Sequence, residues 1–147
     1  MRHEAFGQMR FRIGIEGLDE AGACEVVFPE ARIVGEPGTE GASRSVRYGT
    51  LLLRRGVTRS RSWYDWWDQA RTAEAPPAPR TIVVSLLDAS QQAVHRWKFE
   101  RALPLAYALS PLDALGQGVL VETLELAVAD FVLLKQAPED AAHGGPM

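Results

Sequence analysis

The sequence predicts a mainly β domain of antiparallel strands with one substantial α-helix. Two runs near the middle of the chain, residues 81–87 (TIVVSLL) and 93–99 (AVHRWKF), alternate their side chains with the period of two that marks a strand. Five polar or small residues at 88–92 separate these runs and are typical of a hairpin loop. Because an isolated hairpin is only marginally stable in water, this one must pack against further sheet.

Length and composition indicate how many domains the chain forms and where it folds. The chain has 147 residues, 46% of them hydrophobic and 24% charged, with a formal net charge of -3. These values fit one globular domain, which we place at residues 1–136, followed by a patternless tail at 137–147 that we expect to be disordered. Cys24 is the only cysteine, which excludes an intrachain disulfide and fits a reducing compartment. With no signal peptide and no long apolar run, we expect cytoplasmic synthesis and no membrane anchor.

Further strands are predicted on both sides of the hairpin, because the same period of two recurs there. Residues 100–109 form a weaker run interrupted by Pro104, which suits an edge strand or a bulge better than a central strand because proline cannot donate a hydrogen bond. Residues 110–115 begin with Ser-Pro and predict a short helical turn. The remaining predicted strands are 9–17, 24–28, 45–54 and 119–134, the last being the longest.

The helix is predicted at residues 60–71, where the apolar spacing changes from two to a helical period. Trp63, Trp66, Trp67 and Ala70 fall at i, i+3, i+4 and i+7 and form a single apolar stripe. Each buried aromatic side chain removes about 150–250 Å² of surface from water, so we interpret the stripe first as part of the hydrophobic core. We assign five aromatic side chains to the core: Trp63, Trp66, Trp67, Trp97 and Phe99.

The sequence carries little that points to catalysis. His3, His95 and His143 are far apart in the chain and have no acidic or cysteine spacing that would make a metal site. No glycine-rich phosphate loop follows a predicted strand, so no cofactor is expected. Asp65 and Asp68 lie three residues apart on the helix and are interpreted as its solvated face. The sequence therefore predicts no catalytic, metal or cofactor site.

Two segments stand out from the rest of the sequence. Residues 41–64 contain six arginines and no acidic residue, and the planar guanidinium suits fixed pairing with carboxylates or phosphates across an interface. Residues 35–43 have no periodicity and contain three glycines, which predicts a mobile surface loop.

Six segments, taken in order, resemble the tail-tube proteins of contractile phage tails and of phage-like contractile injection systems. The resemblance is collinear over about residues 6–135. Its most specific parts are LRRG before the tryptophan-rich helix and ETLELA near the end of the domain. The six segments are FRIGIEGL at 11–18, LLLRRGVT at 51–58, VVSLLD at 83–88, WKF at 97–99, ALP at 102–104 and VETLELA at 121–127.

The resemblance implies a β-sandwich or barrel-like subunit with one helix, assembled as a homo-hexameric ring. Stacked rings would form a tube inside a contractile sheath, with cargo or DNA in the lumen. The implied partners are the sheath protein, baseplate or hub proteins and tube-terminating proteins, in a phage tail or an extracellular injection particle. Such subunits carry no catalytic residues. The run VGEPGTEG at 34–41 departs from the charged run usual in the family, which leaves room for a specialised tube subunit near the baseplate or cap.

Two assembly elements are expected on this basis. A strand edge closes between neighbouring subunits, with Arg47, Arg54 and Arg55 pairing across the interface with Glu122 or Glu125, which lie among apolar residues. A loop makes the contact between stacked rings and becomes ordered there. This ring-stacking loop consists of Gly35, Glu36, Pro37, Gly38, Thr39, Glu40 and Gly41.

The alternative is a monomeric ligand-binding β-domain. It would hold a carbohydrate or a nucleic acid through the tryptophan cluster or the basic segment. Only the tube hypothesis expects rings in solution, so the oligomeric state separates the two.

Overall fold

A computed structural model describes residues 10–23, 25–35, 44–75, 77–116 and 118–135. The predicted tail at 137–147 and most of the predicted stacking loop lie outside these residues. The described part is mainly antiparallel β with a single α-helix, which confirms the predicted fold class.

The alternating runs form ten strands in the described residues, and the tryptophan-rich run forms the helix. The helix α1 spans Ser62–Thr72. The strands are β1 Arg10–Ile15, β2 Ala21–Ala23, β3 Glu25–Val27, β4 Ala31–Val34, β5 Ser45–Tyr48, β6 Thr50–Gly56, β7 Arg80–Leu87, β8 Ala93–Leu109, β9 Val121–Ala127 and β10 Asp130–Leu133.

The main sheet closes on itself as a small barrel. Its strands follow the order β2-β1-β7-β8-β9-β6-β3, and β10 pairs with β8 beside β9. The two ends of this order, β2 and β3, are separated in the chain by one residue, so the backbone itself joins the last strand to the first. A closed sheet leaves few unpaired edges, and those that remain stand out as candidate interfaces.

The long strand β8 passes from one part of the barrel wall to the other. Its first half pairs with β7 and β10, and its second half pairs with β9. Arg101 lies between the halves at a φ of 52°, in the left-handed region that L-residues rarely adopt, and a register shift follows between Pro104 and Ala106. Such bulges bend a strand and increase its twist, which lets one strand serve two differently oriented neighbours.

The barrel is filled by alternate residues of its strands and by one face of α1. Trp63 and Trp66 are 1% and 2% exposed, and Phe99 is fully buried. Trp67 and Trp97 are only partly buried and pack against the edge of this core. Burial therefore differs along the helical stripe: the rings of Trp63 and Trp66 lie in the core, and the Trp67 ring lies at its edge.

The structure corrects three local predictions. The predicted strand 45–54 is interrupted at Gly49, and the run 119–134 is interrupted between Ala127 and Asp130. Residues 110–115 form no helix; Asp113 instead accepts hydrogen bonds that close a turn. Periodicity indicates extended backbone but does not locate the points where strands change neighbours.

Candidate assembly interface

A two-stranded ribbon leaves the barrel between β3 and β6. Strands β4 and β5 pair only with each other, as a separate sheet. Ile33 lies opposite Val46, and the two side chains are 62% and 50% exposed. Arg32 lies opposite Arg47 on the other face, and both are exposed. The ribbon is therefore amphipathic, with one apolar and one cationic face. A free ribbon of this size is marginal in water, so its apolar face calls for a partner.

Aromatic side chains hold the base of this ribbon on the barrel. The ring of Phe28, just before β4, lies 4.7 Å from that of Trp97 and 6.2 Å from that of Phe131. Tyr48, at the end of β5, donates its hydroxyl to Asp130 Oδ1 over 3.0 Å. This hydrogen bond to a carboxylate, together with burial, raises the pKa of Tyr48. The ribbon thus projects from a fixed base.

The predicted stacking loop joins the two strands of this ribbon. Gly35 follows β4 with a φ of 127°, a value that favours glycine. The other members of the loop, residues 36–41, lie outside the described residues. Their stacking role stays a prediction, although the described strands show where the loop is attached.

Arg55 and Glu122 form a buried pair within the chain, which corrects the prediction that they pair between subunits. Arg55 Nε donates to Glu122 Oε2 over 2.5 Å, and the residues are 6% and 3% exposed. Both lie on core-facing positions of adjacent strands, β6 and β9, directly opposite each other. Because the two charges already satisfy each other within one subunit, we interpret this pair as serving the fold.

Two aromatic residues complete this buried cluster. Tyr107 donates its hydroxyl to Glu122 Oε1 over 2.5 Å, and the Arg55 guanidinium carbon lies 4.1 Å from the centre of the Trp63 ring. Burial, with the hydrogen bond to the Glu122 carboxylate, raises the pKa of Tyr107. Arg55 Nη2 has no hydrogen-bond acceptor among the residues that the structure describes, so the Trp63 ring face is the main compensation for burying that part of the cation. Sequence reasoning missed Tyr107.

The other predicted interface charges lie on the outer surface. Arg54 Nη1 contacts Glu25 Oε1 at 2.6 Å, and Arg54 Nε donates to Thr123, so Arg54 is engaged within its own sheet. Glu125 is half-buried on β9, on the face opposite the core. Arg47 lies on the cationic face of the ribbon. The structure pairs Arg55 with Glu122, places Arg54 and Glu125 on the outer face of the adjacent strands β6 and β9, and places Arg47 on the ribbon.

One strand edge is open and uncharged. The second half of β8 pairs with β9 on one side, and no strand pairs with its other side in the described part of the chain. Residues 102–109 read ALPLAYAL, without a charged side chain, and Leu105 and Leu109 are 52% and 54% exposed. Trp67 Nε1 reaches this edge and donates to the Leu105 carbonyl over 3.3 Å. The prediction of an edge at Pro104 agrees with this arrangement.

The structure offers little to a small ligand. A groove of about 980 Å³ runs over the outer face of β1, β7 and β8, but it is open and lined by mixed side chains such as Arg12, Ser85 and Lys98. The buried Trp63 and Trp66 cannot stack on a sugar or a base. Among the described residues no cluster of histidine, cysteine or acidic side chains could hold a metal, and no helix is long and apolar enough to span a membrane.

A β-barrel with an exposed uncharged strand edge and an amphipathic ribbon has the surfaces expected of a structural subunit that associates with other subunits. Comparison with protein families identifies the family. Residues 7–132 match the model of the T4-like virus tail tube protein gp19, and the chain belongs to this family. A search of curated proteins gave no match.

Several solved structures share this fold. A chain of the anti-feeding prophage baseplate is 23% identical, with a TM-score of 0.60, covering 91% of this chain and 97% of its own. A chain of the anti-feeding prophage tube-terminating cap has a TM-score of 0.69 at 14% identity, covering 92% and 94%. Hcp1 from Flavobacterium johnsoniae has a TM-score of 0.60 at 16% identity, covering 84% and 94%.

Proposed function

We propose that this protein is a structural inner-tube subunit that forms homo-hexameric rings, and that the rings stack into a hollow tube within a contractile sheath. The observation that carries the proposal is the open, uncharged edge of β8. Soluble proteins normally protect such an edge with lysine, proline or a covering segment. Here Pro104 and the Trp67 indole guard only its beginning, and the backbone of Tyr107 and Leu109 is left facing outward.

Ring formation accounts for this edge. A heterologous contact that repeats around a symmetry axis closes when the rotation allows, and every edge then meets another. Pairing of β8 with a neighbouring subunit would satisfy its outward N–H and C=O groups and cover Leu105 and Leu109. The buried charges Arg55 and Glu122 hold the barrel from within, which keeps the edge in place.

The wider setting follows from the same role. The sheath would surround the tube, baseplate or hub proteins and a terminator would bind its two ends, and cargo or DNA would occupy the lumen. The chain would be made in the cytoplasm and carried out in the assembled particle, acting by association rather than by catalysis. Tube subunit and specialised baseplate-proximal or cap-proximal subunit are both compatible with this fold, since structures of both kinds share it.

Light scattering coupled to size-exclusion chromatography tests the ring. We expect a species of six times the 16.2 kDa chain mass, seen as rings by negative-stain electron microscopy. A double variant, Leu105→Lys with Leu109→Lys, should be monomeric with an unchanged melting temperature, because charges on an edge oppose pairing. The matched variant Leu105→Met with Leu109→Met should form rings. A wild-type monomer at micromolar concentration would contradict the proposal.

The stacking loop is tested separately. Deleting residues 36–41 should leave ring formation and the melting temperature unchanged but abolish growth of tubes. Tubes of normal length from this variant would remove the loop from the stacking contact without affecting the ring.

A further inference from the structure

The connection between β8 and β9 presents the most exposed large apolar side chains of the described residues. Leu112, Leu115 and Val119 are 81%, 95% and 73% exposed, and we call these three residues the leucine knuckle. Such a group of exposed aliphatic side chains marks an interaction site more often than a passive surface.

The knuckle has a defined shape. The N–H groups of Leu115 and Gly116 donate to the Asp113 side chain and backbone over 3.0 and 3.1 Å, which closes a turn between the two leucines. Ser110 and Val121 pin its base, since the N–H of Val121 donates to Ser110 Oγ over 2.9 Å and the N–H of Ser110 to the Val121 carbonyl over 2.8 Å. The apolar side chains are therefore presented by hydrogen-bonded backbone.

The knuckle and the amphipathic ribbon lie at opposite ends of the same strands. The ribbon joins β6 at Thr50, which pairs with Ala127, whereas the knuckle adjoins the other end of β6, where Gly56 pairs with Val121. The seven residues of β6 separate these ends by about 20 Å, at about 3.3 Å per residue. One end of the subunit thus carries an unsupported apolar ribbon face, and the other an unsupported apolar knuckle.

We propose that the leucine knuckle is the docking surface for the ribbon of a second copy of this chain, in the ring stacked on it. Ile33 and Val46 of one subunit would pack on Leu112, Leu115 and Val119 of the next. This inference rests on the proposed function and adds the receiving surface for the stacking contact.

Two observations favour a second copy as the occupant. Both surfaces are apolar where they would meet, and they are opposite in net charge: the connection between β8 and β9 carries Asp113 as the charged residue of its described part, whereas β4 and β5 carry Arg32 and Arg47, on the face turned away from Ile33 and Val46. Because the two surfaces differ and lie at opposite ends, the contact is head-to-tail and does not close on itself. Such contacts generate open-ended filaments, as a tube requires.

The first test removes the apolar character of the knuckle. Leu112→Ser with Leu115→Ser should leave rings intact and lower the fraction of protein sedimenting as tubes at least tenfold. Because both leucine side chains are exposed, the substitutions should leave the fold intact, and an unchanged melting temperature checks this directly. The matched variant Leu112→Met with Leu115→Met keeps the apolar surface and should sediment as wild type.

The second test asks for the contact itself. In a Cys24→Ser background, Ile33→Cys with Leu115→Cys should give a ladder of disulfide-linked subunits under oxidising conditions, and Ile33→Cys with Leu105→Cys should not. Normal tubes from the double serine variant, or tubes without the ladder, would overturn the inference while leaving the proposed function intact. A wild-type chain that forms no rings would refute the proposed function and this inference with it.

Discussion

The buried pair of Arg55 and Glu122 makes the sharpest prediction for the isolated subunit. Glu122→Ala removes the acceptor of two hydrogen bonds, from Arg55 Nε and from the Tyr107 hydroxyl, each 2.5 Å long. It also leaves a guanidinium that is 6% exposed without its carboxylate. Breaking a buried ion pair from one side typically costs about 3–5 kcal/mol. For a domain of this size, about 2–4 °C of melting temperature is lost per kcal/mol, so we expect a fall of about 6–20 °C.

The neighbouring strand position supplies a matched control. Arg54 and Glu25 also form an ion pair, at 2.6 Å, but their side chains are 38% and 50% exposed. Exposed pairs contribute about 0–1 kcal/mol, so Glu25→Ala should change the free energy of unfolding by no more than about 1 kcal/mol. A further variant, Arg55→Met with Glu122→Leu, should recover most of the loss, since apolar residues of similar volume replace buried pairs well.

Urea denaturation followed by tryptophan fluorescence measures all three variants on protein kept monomeric by the β8 lysine substitutions. If Glu122→Ala proves as stable as Glu25→Ala, the pair does not hold the barrel. If Glu122→Ala keeps its stability in this background but, without the lysine substitutions, fails to form rings, the expectation of an inter-subunit pair would return.

Two further predictions concern aromatic side chains. Trp66→Ala should cost about 3–5 kcal/mol and Trp67→Ala clearly less, because only the first ring is fully buried; equal losses in denaturation would contradict the graded packing of α1. The raised pKa of Tyr107 means that the folded state favours the neutral phenol, so its contribution to stability is complete below pH 10 and declines as the pH rises above that value. Tyr107→Phe should weaken this alkaline decline in a pH series of melting temperatures, and an identical decline in both proteins would refute the assignment.

The sequence alone determined the elements whose signal is local. The strand-like runs of β7 and of the first half of β8 are bounded by a polar loop, so the central hairpin is predicted within a residue or two, although the buried face of β7 shifts after Val84. The tryptophan spacing in α1 fits a helix and not a strand. Pro104 predicts an edge or a bulge in the strand that contains it, wherever that strand lies in the sheet. The ordered motifs also lead to the tail-tube family, which the family match confirms.

Only the tertiary structure decided which distant residues meet. Arg55 follows Leu51 and Leu53 on one face of β6, and Glu122 precedes Leu124 on one face of β9, so each is visible in the sequence as a charge on a core-facing position. Two such opposite charges are a signal for a buried pair. Because periodicity gives a face but not a neighbour, it could not tell a partner in the same barrel from one in another subunit.

The assembly surfaces illustrate the same limit. Ile33 and Val46 form an apolar face only because β4 and β5 pair in one register, and a shift of one residue would place Arg47 opposite Ile33 or Arg32 opposite Val46, depending on its direction. The leucine knuckle reads in sequence as a short helix, and its exposure depends on the Asp113 turn that replaces that helix. Local patterns thus set the strands and the helix, whereas register and barrel closure decide which side chains remain on the surface, because both are fixed by pairings between residues far apart in the chain.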